Sequence, residues 1–244
     1  MKTALITGSA RGIGRALAIS LAHDGYNLIL NTGHDEAALI SLKEEIIGIT
    51  GCEDSCIISI GDVGQSSYVT ELIDIGLKQF GFIDVLINNA GVSYVGLLTD
   101  MTDEDISKVV NTNLIASIYT SRAVIPSMVN RKAGHIINVS SMWGVVGASC
   151  ETVYSATKGG LNTFTKALAK ELAPSNIQVN AVTLGVIDTD MNKCFSEEER
   201  EALTDEIPMG RMAKPSEVAD LILNLIKSPS YLTGSIIDFD GGWI

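Results

Sequence analysis

Tyr154 and Lys158 stand four residues apart at the start of a run with strong helix-forming character, LNTFTKALAKEL. At that spacing two side chains stack on one helix face. A free tyrosine titrates near pH ~10 and is a poor proton donor at neutrality. An ammonium beside it favours the phenolate and lowers that value, so the pair predicts a usable proton donor. Ser141 directly follows the apolar run HIINVS and can aim its hydroxyl at the same point from a strand. A tyrosine and a serine converging on one oxygen would polarise a carbonyl and protonate the alkoxide that forms. No side chain supplies a hydride, so this chemistry requires a cofactor site elsewhere in the chain. By itself a Tyr-x-x-x-Lys pair reads equally well as two surface residues of an ordinary helix, and the remaining motifs decide.

The first of these is Thr7-Gly8-Ser9-Ala10-Arg11-Gly12-Ile13-Gly14, directly after a strand-like run and opening a helix. Glycines there allow a tight turn and bring a phosphate close to backbone amides at the positive helix end. A plain strand-to-helix turn uses glycines too. Asn88-Asn89-Ala90-Gly91 ends the fourth apolar run, a polar pair and two small residues that suit backbone packed on a flat ligand or side chains tying strands together. Asp62-Val63 follows the third run, where a carboxylate could accept from an adenine amine. Asn113 lies inside a long helical pattern, where its amide would either open the backbone for a water or reach Lys158.

The elements that must position these residues are strands at about 3–7, 27–31, 56–60, 84–88, 135–140, 177–182 and 236–239. Helical patterns fall near 12–24, 35–49, 66–79, 103–131, 152–173 and 215–227. Strands apolar throughout and separated by helices imply a parallel sheet covered on both faces. The predicted fold is therefore α/β, a single-domain Rossmann-type doubly wound sandwich over 1–244, with about seven parallel strands. The stretch 184–214, carrying the EEERE charge run and Pro208, is the least regular and is the candidate substrate-covering segment; the charge run also reads as a solvated helix face.

Composition narrows the function classes. With 244 residues, 46% hydrophobic, the chain can bury a substantial core, and a formal net charge of -12 leaves no basic stripe for nucleic acid or for an anionic membrane. No apolar run approaches a membrane span and no secretory leader precedes the first strand, which predicts a cytoplasmic protein. Cys52, Cys56, Cys150 and Cys194 are scattered and His23, His34 and His135 show no ligand spacing, so no metal is expected and the thiols should be reduced.

Thr-Gly-x-x-x-Gly-x-Gly, Asn-Asn-Ala-Gly, Asn113, Ser141 thirteen residues before Tyr154, Tyr-x-x-x-Lys and the closing Asp240-Gly241-Gly242 together resemble the short-chain dehydrogenase/reductase family over essentially the whole chain. The resemblance implies a tetrad of Asn113, Ser141, Tyr154 and Lys158. In it tyrosine is the acid/base, serine holds the substrate oxygen, lysine binds the nicotinamide ribose and tunes tyrosine, and asparagine orders a relay water. It also places Val186-Ile187-Asp188-Thr189 against the nicotinamide. Leu184-Gly185 stands where the family usually has Pro-Gly, which predicts a looser turn. Relatives form homotetramers through the helices near 103–131 and 152–173 and the last strand; Leu161, Phe164 and Leu168 fit such an interface or a core face.

Charge argues for the cofactor. An NAD site places a carboxylate at the end of the second strand, whereas this chain has Asn31-Thr32-Gly33 there, with Arg11 in the glycine turn adding positive charge. NADP(H) is expected over NAD(H), and Asp35 is the residue that could spoil the argument. The broad resemblance is to 3-oxoacyl-(acyl-carrier-protein) reductases. Lys132 fits one of two carrier-gripping positions and Ser175 occupies the other. The loop Met142-Trp143-Gly144 through Glu151 is similar instead to reductases of a 5-aminopentanone group on elongation factor P. There Glu151 would pair with a substrate ammonium, or simply sit as an acid at a helix start, and Trp143 would wall the pocket or pack in the core. Two further readings are an NAD-dependent alcohol or steroid dehydrogenase, and a non-catalytic NADP-sensing binding protein.

Overall fold

In the computed structural model, residues 1–190 and 196–244 are described. In chain order they form β1 (Thr3–Ile6), α1 (Gly12–His23), β2 (Asn27–Thr32), α2 (Glu36–Thr50), β3 (Cys56–Ile60), α3 (Ser66–Phe80), β4 (Val85–Asn88), α4 (Asp103–Val110) and α5 (Ala116–Arg131). β5 (Gly134–Ser141), α6 (Trp143–Val146), α7 (Thr152–Leu172), β6 (Ile177–Leu184), α8 (Glu197–Glu206), α9 (Pro215–Ile226) and β7 (Ile236–Phe239) follow. The strands make one 7-stranded sheet in the order β3-β2-β1-β4-β5-β6-β7, every pair parallel.

The sheet is apolar on both faces because both are covered. Ala4 and Ile6 of β1 pack in one core with Leu17 and Leu21 of α1, Leu39 and Leu42 of α2 and Val218 and Ile222 of α9. Leu5, pointing the other way, packs with Leu72 of α3, Val124 of α5 and Leu168 of α7. Strand order reverses at β1, between β2 and β4, and such switch points open a crevice at the carboxyl ends of the strands. The predicted doubly wound α/β fold is the one observed. Leu161 and Leu168 are buried within the chain itself, so they belong to the core.

Three local features depart from the sequence expectations. The pattern read as one helix over 103–131 contains a π turn, Asn111–Ile115, between α4 and α5. The irregular stretch 184–214 contains α8, started by a reciprocal cap between Ser196 and Glu199 and burying no residue completely. Glu197, Glu198, Glu199 and Glu201 are exposed, so their charges are solvated. The turn expected to be loose after Leu184 is tied from both sides. Met142 N donates to the Leu184 carbonyl at 3.0 Å, and Gly185 N to the Phe239 carbonyl at 3.0 Å. Gly185 is also required, since a Cβ there would lie 2.8 Å from Asp240 Cα. Cys194 lies outside the described residues; Cys52, Cys56 and Cys150 are free thiols.

Candidate active site

Strand ends gather the chemistry. β5 ends at Ser141, whose Oγ accepts from Trp143 N at 3.2 Å and is hydrogen-bonded to the phenol of Tyr154 on α7. Lys158, one turn further along α7, lies beneath with its Nζ 5.6 Å from the centre of the Tyr154 ring. Lys158 is 4% exposed, and its ammonium donates to the Val139 carbonyl of β5 at 2.9 Å. The sequence expectation that Lys158 brings the phenol down is reversed. Burial, the largest influence, pushes Tyr154 up to about 12; the Ser141 bond opposes this and the Glu151 carboxylate adds to it. The same burial brings Lys158 down to about 8. Loss of water outweighs proximity here because the amine is spent on a backbone carbonyl and faces the ring.

Asn113 sits in the π turn, fully buried. Its amide oxygen accepts from Val92 N at 2.8 Å, while Nδ2 donates to the Val92 carbonyl at 2.8 Å and to Thr157 Oγ1 at 3.4 Å. The helix backbone is widened to a π turn at this residue, while the side chain clamps Val92 and makes no hydrogen bond to Lys158. A Cβ added to Gly91 would stand 3.4 Å from Asn113 Oδ1 and 3.7 Å from Lys158 Nζ, so a bare backbone separates the two groups.

The glycine turn is joined to the same place. Gly8 has φ +64, and a Cβ there would be 2.8 Å from Ala90 Cα; a Cβ on Gly14 would be 2.3 Å from the Gly8 carbonyl. Asn89 Nδ2 donates to the Thr7 and Gly8 carbonyls at 3.0 and 2.9 Å, and Thr7 Oγ1 accepts from Asn89 N and Ala90 N. Behind them Asn88 Nδ2 donates to Asn138 Oδ1 at 2.8 Å across β4 and β5, so the strand-tying role foreseen for this polar pair is observed. Arg11 occupies the N-cap of α1 without a side-chain cap, and Ala10 and Ile13 pack into the first core, so the leading amides of α1 face the crevice uncapped. These features fit a dinucleotide: glycines a side chain would obstruct, and free donors at a positive helix end.

The outer cofactor positions are less alike. Asn31 is buried and turned inward, accepting from Gly8 N at 3.4 Å and donating to the Gly61 carbonyl at 3.1 Å and Tyr68 Oη at 3.0 Å. It therefore holds the glycine turn from behind. Thr32 is buried, while Gly33, His34 and Arg11 are exposed. Asp35 caps α2, accepting from Ala38 N at 3.2 Å, which draws its carboxylate toward its own helix. Asp62 is exposed and accepts from Gly64 N at 2.8 Å, and Val63 is buried in the second core. Thr189 packs on Gly12, with its Cγ2 3.3 Å from where a Cβ would stand, and Ile187 bridges to Ala213.

At the start of α7 Glu151 is the N-cap residue, yet its carboxylate does not cap; it accepts from Ser93 Oγ in the loop after β4. Trp143 is half-buried and meets Trp243 edge to face, ring centres 5.6 Å apart. Ser93 and Trp243 escaped the sequence reading, and nothing local marks them; Thr7 stood at the head of the glycine motif but its hydroxyl was given no role there. Among the described residues no group of histidine, cysteine and carboxylate side chains could hold a metal, and no helix is long and apolar enough to cross a membrane.

A family model described as short chain dehydrogenase matches residues 2–200, and the chain belongs to that family. It is 40% identical over 243 residues to an uncharacterized oxidoreductase, YmfI, of Bacillus subtilis, covering 99% of this chain and 98% of that one. It is 41% identical over 244 residues to the 3-oxoacyl-(acyl-carrier-protein) reductase FabG of Thermotoga maritima, covering 100% and 98%. With FabG of Chlamydia trachomatis the identity is 37% over 245 residues. The protein is an oxidoreductase acting on CH–OH or ketone groups with a nicotinamide cofactor.

Proposed function

We propose that this chain is an NADP(H)-dependent ketoreductase of the 3-oxoacyl-(acyl-carrier-protein) reductase type, working in the cytoplasm as a homotetramer. The observation that carries the reading is the convergence of Ser141, Tyr154 and Lys158 beside the uncapped start of α1, with Asn113 behind them. A bound nicotinamide supplies the hydride that no side chain can. Tyr154 Oη gives its proton to the carbonyl oxygen as the alkoxide develops, so hydride plus proton turn ketone into secondary alcohol. Ser141 Oγ, accepting from Trp143 N through one lone pair, donates its own hydrogen to that oxygen. Lys158 remains an ammonium at neutral pH with its value near 8, and faces the ring on which the phenolate forms. It also borders the bare backbone of Gly91, where a ribose would be held. Asn113 fixes Val92 and the π turn, and orders the water that returns the proton.

For the 2′-phosphate of NADP, Arg11 offers an exposed guanidinium at the glycine turn, and Asp35 is engaged as a helix cap. Segment 184–214 covers the substrate: Ala213 N donates to the Val186 carbonyl at 3.1 Å and Asp188 N to the Ala213 carbonyl at 2.9 Å, bringing its two ends side by side. The half-buried Glu151, uncommitted to its helix, favours a second reading, the amino-ketone on elongation factor P.

The test is oxidation of NADPH by the purified protein with an acetoacetyl thioester and with an amino-ketone on elongation factor P, NADH in parallel. Turnover of the thioester, equal in Glu151→Gln and lost in Tyr154→Phe, supports the first reading. Turnover of the amino-ketone alone, lost in Glu151→Gln, replaces it with the second. Full activity of Tyr154→Phe refutes the mechanism.

A further inference from the structure

The chain has two tryptophans, 100 positions apart in sequence, and the fold brings them together at the carboxyl ends of the strands. Trp143 is fixed through its backbone, whose N–H donates to Ser141 Oγ, so the ring begins two residues from the hydroxyl that would hold the substrate oxygen. Trp243 is placed by a turn built around Asp240. One carboxylate oxygen accepts from Gly242 N at 2.9 Å and the other from Ile244 N at 3.0 Å. Gly241 and Gly242, at φ +71 and +85, allow the reversal. The turn is wedged between two other segments. Gly185 leaves no room for a Cβ against Asp240, and a Cβ on Gly241 would stand 2.8 Å from Ile207 Cγ2. Met209 N donates to the Gly241 carbonyl at 3.2 Å. The C-terminal segment is thus locked across the end of β6 and the chain that follows α8.

Neither indole is part of a core cluster, both remain partly exposed, and three apolar residues of the same segments are open: Val145 and Val146 in α6, 53% and 56% exposed, and Met209 after α8, 63% exposed. Two indoles fixed by backbone bonds cost little entropy to present and offer a broad apolar face. We infer that Trp243 is a specificity-determining residue, forming with Trp143 the wall that receives an apolar chain extending beyond the substrate ketone. The inference rests on the ketoreductase reading above and adds a chemical class to it: ketones bearing an extended acyl chain are taken in preference to short ones.

The experiment compares an acetoacetyl thioester with a 3-oxooctanoyl thioester of the same carrier group, for the parent, Trp243→Ala and Trp243→Phe. Removing the indole should raise KM for the long chain about tenfold and for the short chain less than about twofold, because only the long chain reaches far enough to bury methylenes against the ring. KM for NADPH and kcat should hold, and Trp243→Phe should restore most of the chain-length preference. In Trp143→Phe, Trp243 becomes the sole tryptophan, and its fluorescence should change saturably with the long-chain product. Equal losses on both substrates, a changed KM for NADPH, or a shift in oligomeric state would make Trp243 a structural or interface residue and overturn the inference. So would a silent Trp243 fluorescence while the long chain is turned over. A parent that reduces neither thioester removes the ketoreductase reading first, and this inference with it.

Discussion

Lys158→Met is expected to make the protein more stable at neutral pH while abolishing its activity. The ammonium is buried, its titration is held near 8 against an ordinary 10.5, and its hydrogen bond is to the Val139 carbonyl. That lowering corresponds to about 3 kcal/mol by which folding disfavours the charged amine. Methionine occupies similar volume without charge, and loss of one hydrogen bond to a buried carbonyl gives back about 1 kcal/mol. The net gain is about 2 kcal/mol, or ~4–8 °C in Tm for a chain of this length. Its pH dependence separates this cause from better packing. The folded value lies below the unfolded one, so the unfolded chain binds the extra proton between about pH 8 and 10.5, and the parent gains stability as pH rises through that window. Tyr154, raised to about 12, acts in the opposite sense above pH 10, where the parent's amine is already neutral. Thermal unfolding at fixed protein concentration should therefore show the methionine variant ahead at pH 7 and level or behind at pH 10.5. A variant less stable than the parent by the same margin at both values would refute the reasoning.

Two other side chains separate support from contact. Asn31→Ala removes a buried amide that serves Gly8 N, the Gly61 carbonyl and Tyr68 Oη. It should cost about 2 kcal/mol in chemical denaturation and raise KM for NADPH with little change in kcat, because the glycine turn loses its backing. Asp35→Ala should lose about 1 kcal/mol as α2 loses its cap, yet leave the ratio of NADPH to NADH use unchanged; a marked swing toward either cofactor would show that this carboxylate reaches the ribose.

The strands were legible because both faces of the sheet are covered, which leaves Ala4–Ile6 or Leu28–Leu30 apolar without alternation. The glycine turn, Asn88–Gly91 and the Tyr154/Lys158 spacing were legible because each needs particular residue types at fixed offsets. The π turn was not, since a single inserted residue shifts the phase of the pattern once and leaves the helical period on either side of it unchanged. α8 was legible only as the solvated helix face read for its charge run, because it buries no face and periodicity reports only burial. Its Ser196-x-x-Glu199 start carried a further signal. Trp243 beside Trp143 depends on β7 pairing with β6 and on the Asp240 turn, and no local pattern encodes that. The inward turn of Asn31 likewise depends on Tyr68 arriving from α3.

The inverted titration of Tyr154 and Lys158 also lay beyond spacing, since spacing gives proximity and burial sets the sign. The inversion is compatible with the proposed proton transfer. At rest a neutral phenol and a disfavoured ammonium share a site where water is scarce, and the ammonium is satisfied by one backbone carbonyl. The same scarcity of water strengthens attraction between opposite charges. When the phenol gives up its proton, the phenolate gains a neighbour that the resting phenol does not use. An interaction realised only as charge develops is the kind that lowers a barrier instead of merely tightening binding. Glu151 works against that ionisation from the start of α7, so a cation or a hydrogen-bond donor brought to its carboxylate by substrate would ease it. Under the proposed function, Glu151 would thereby make proton transfer depend on what occupies the cleft.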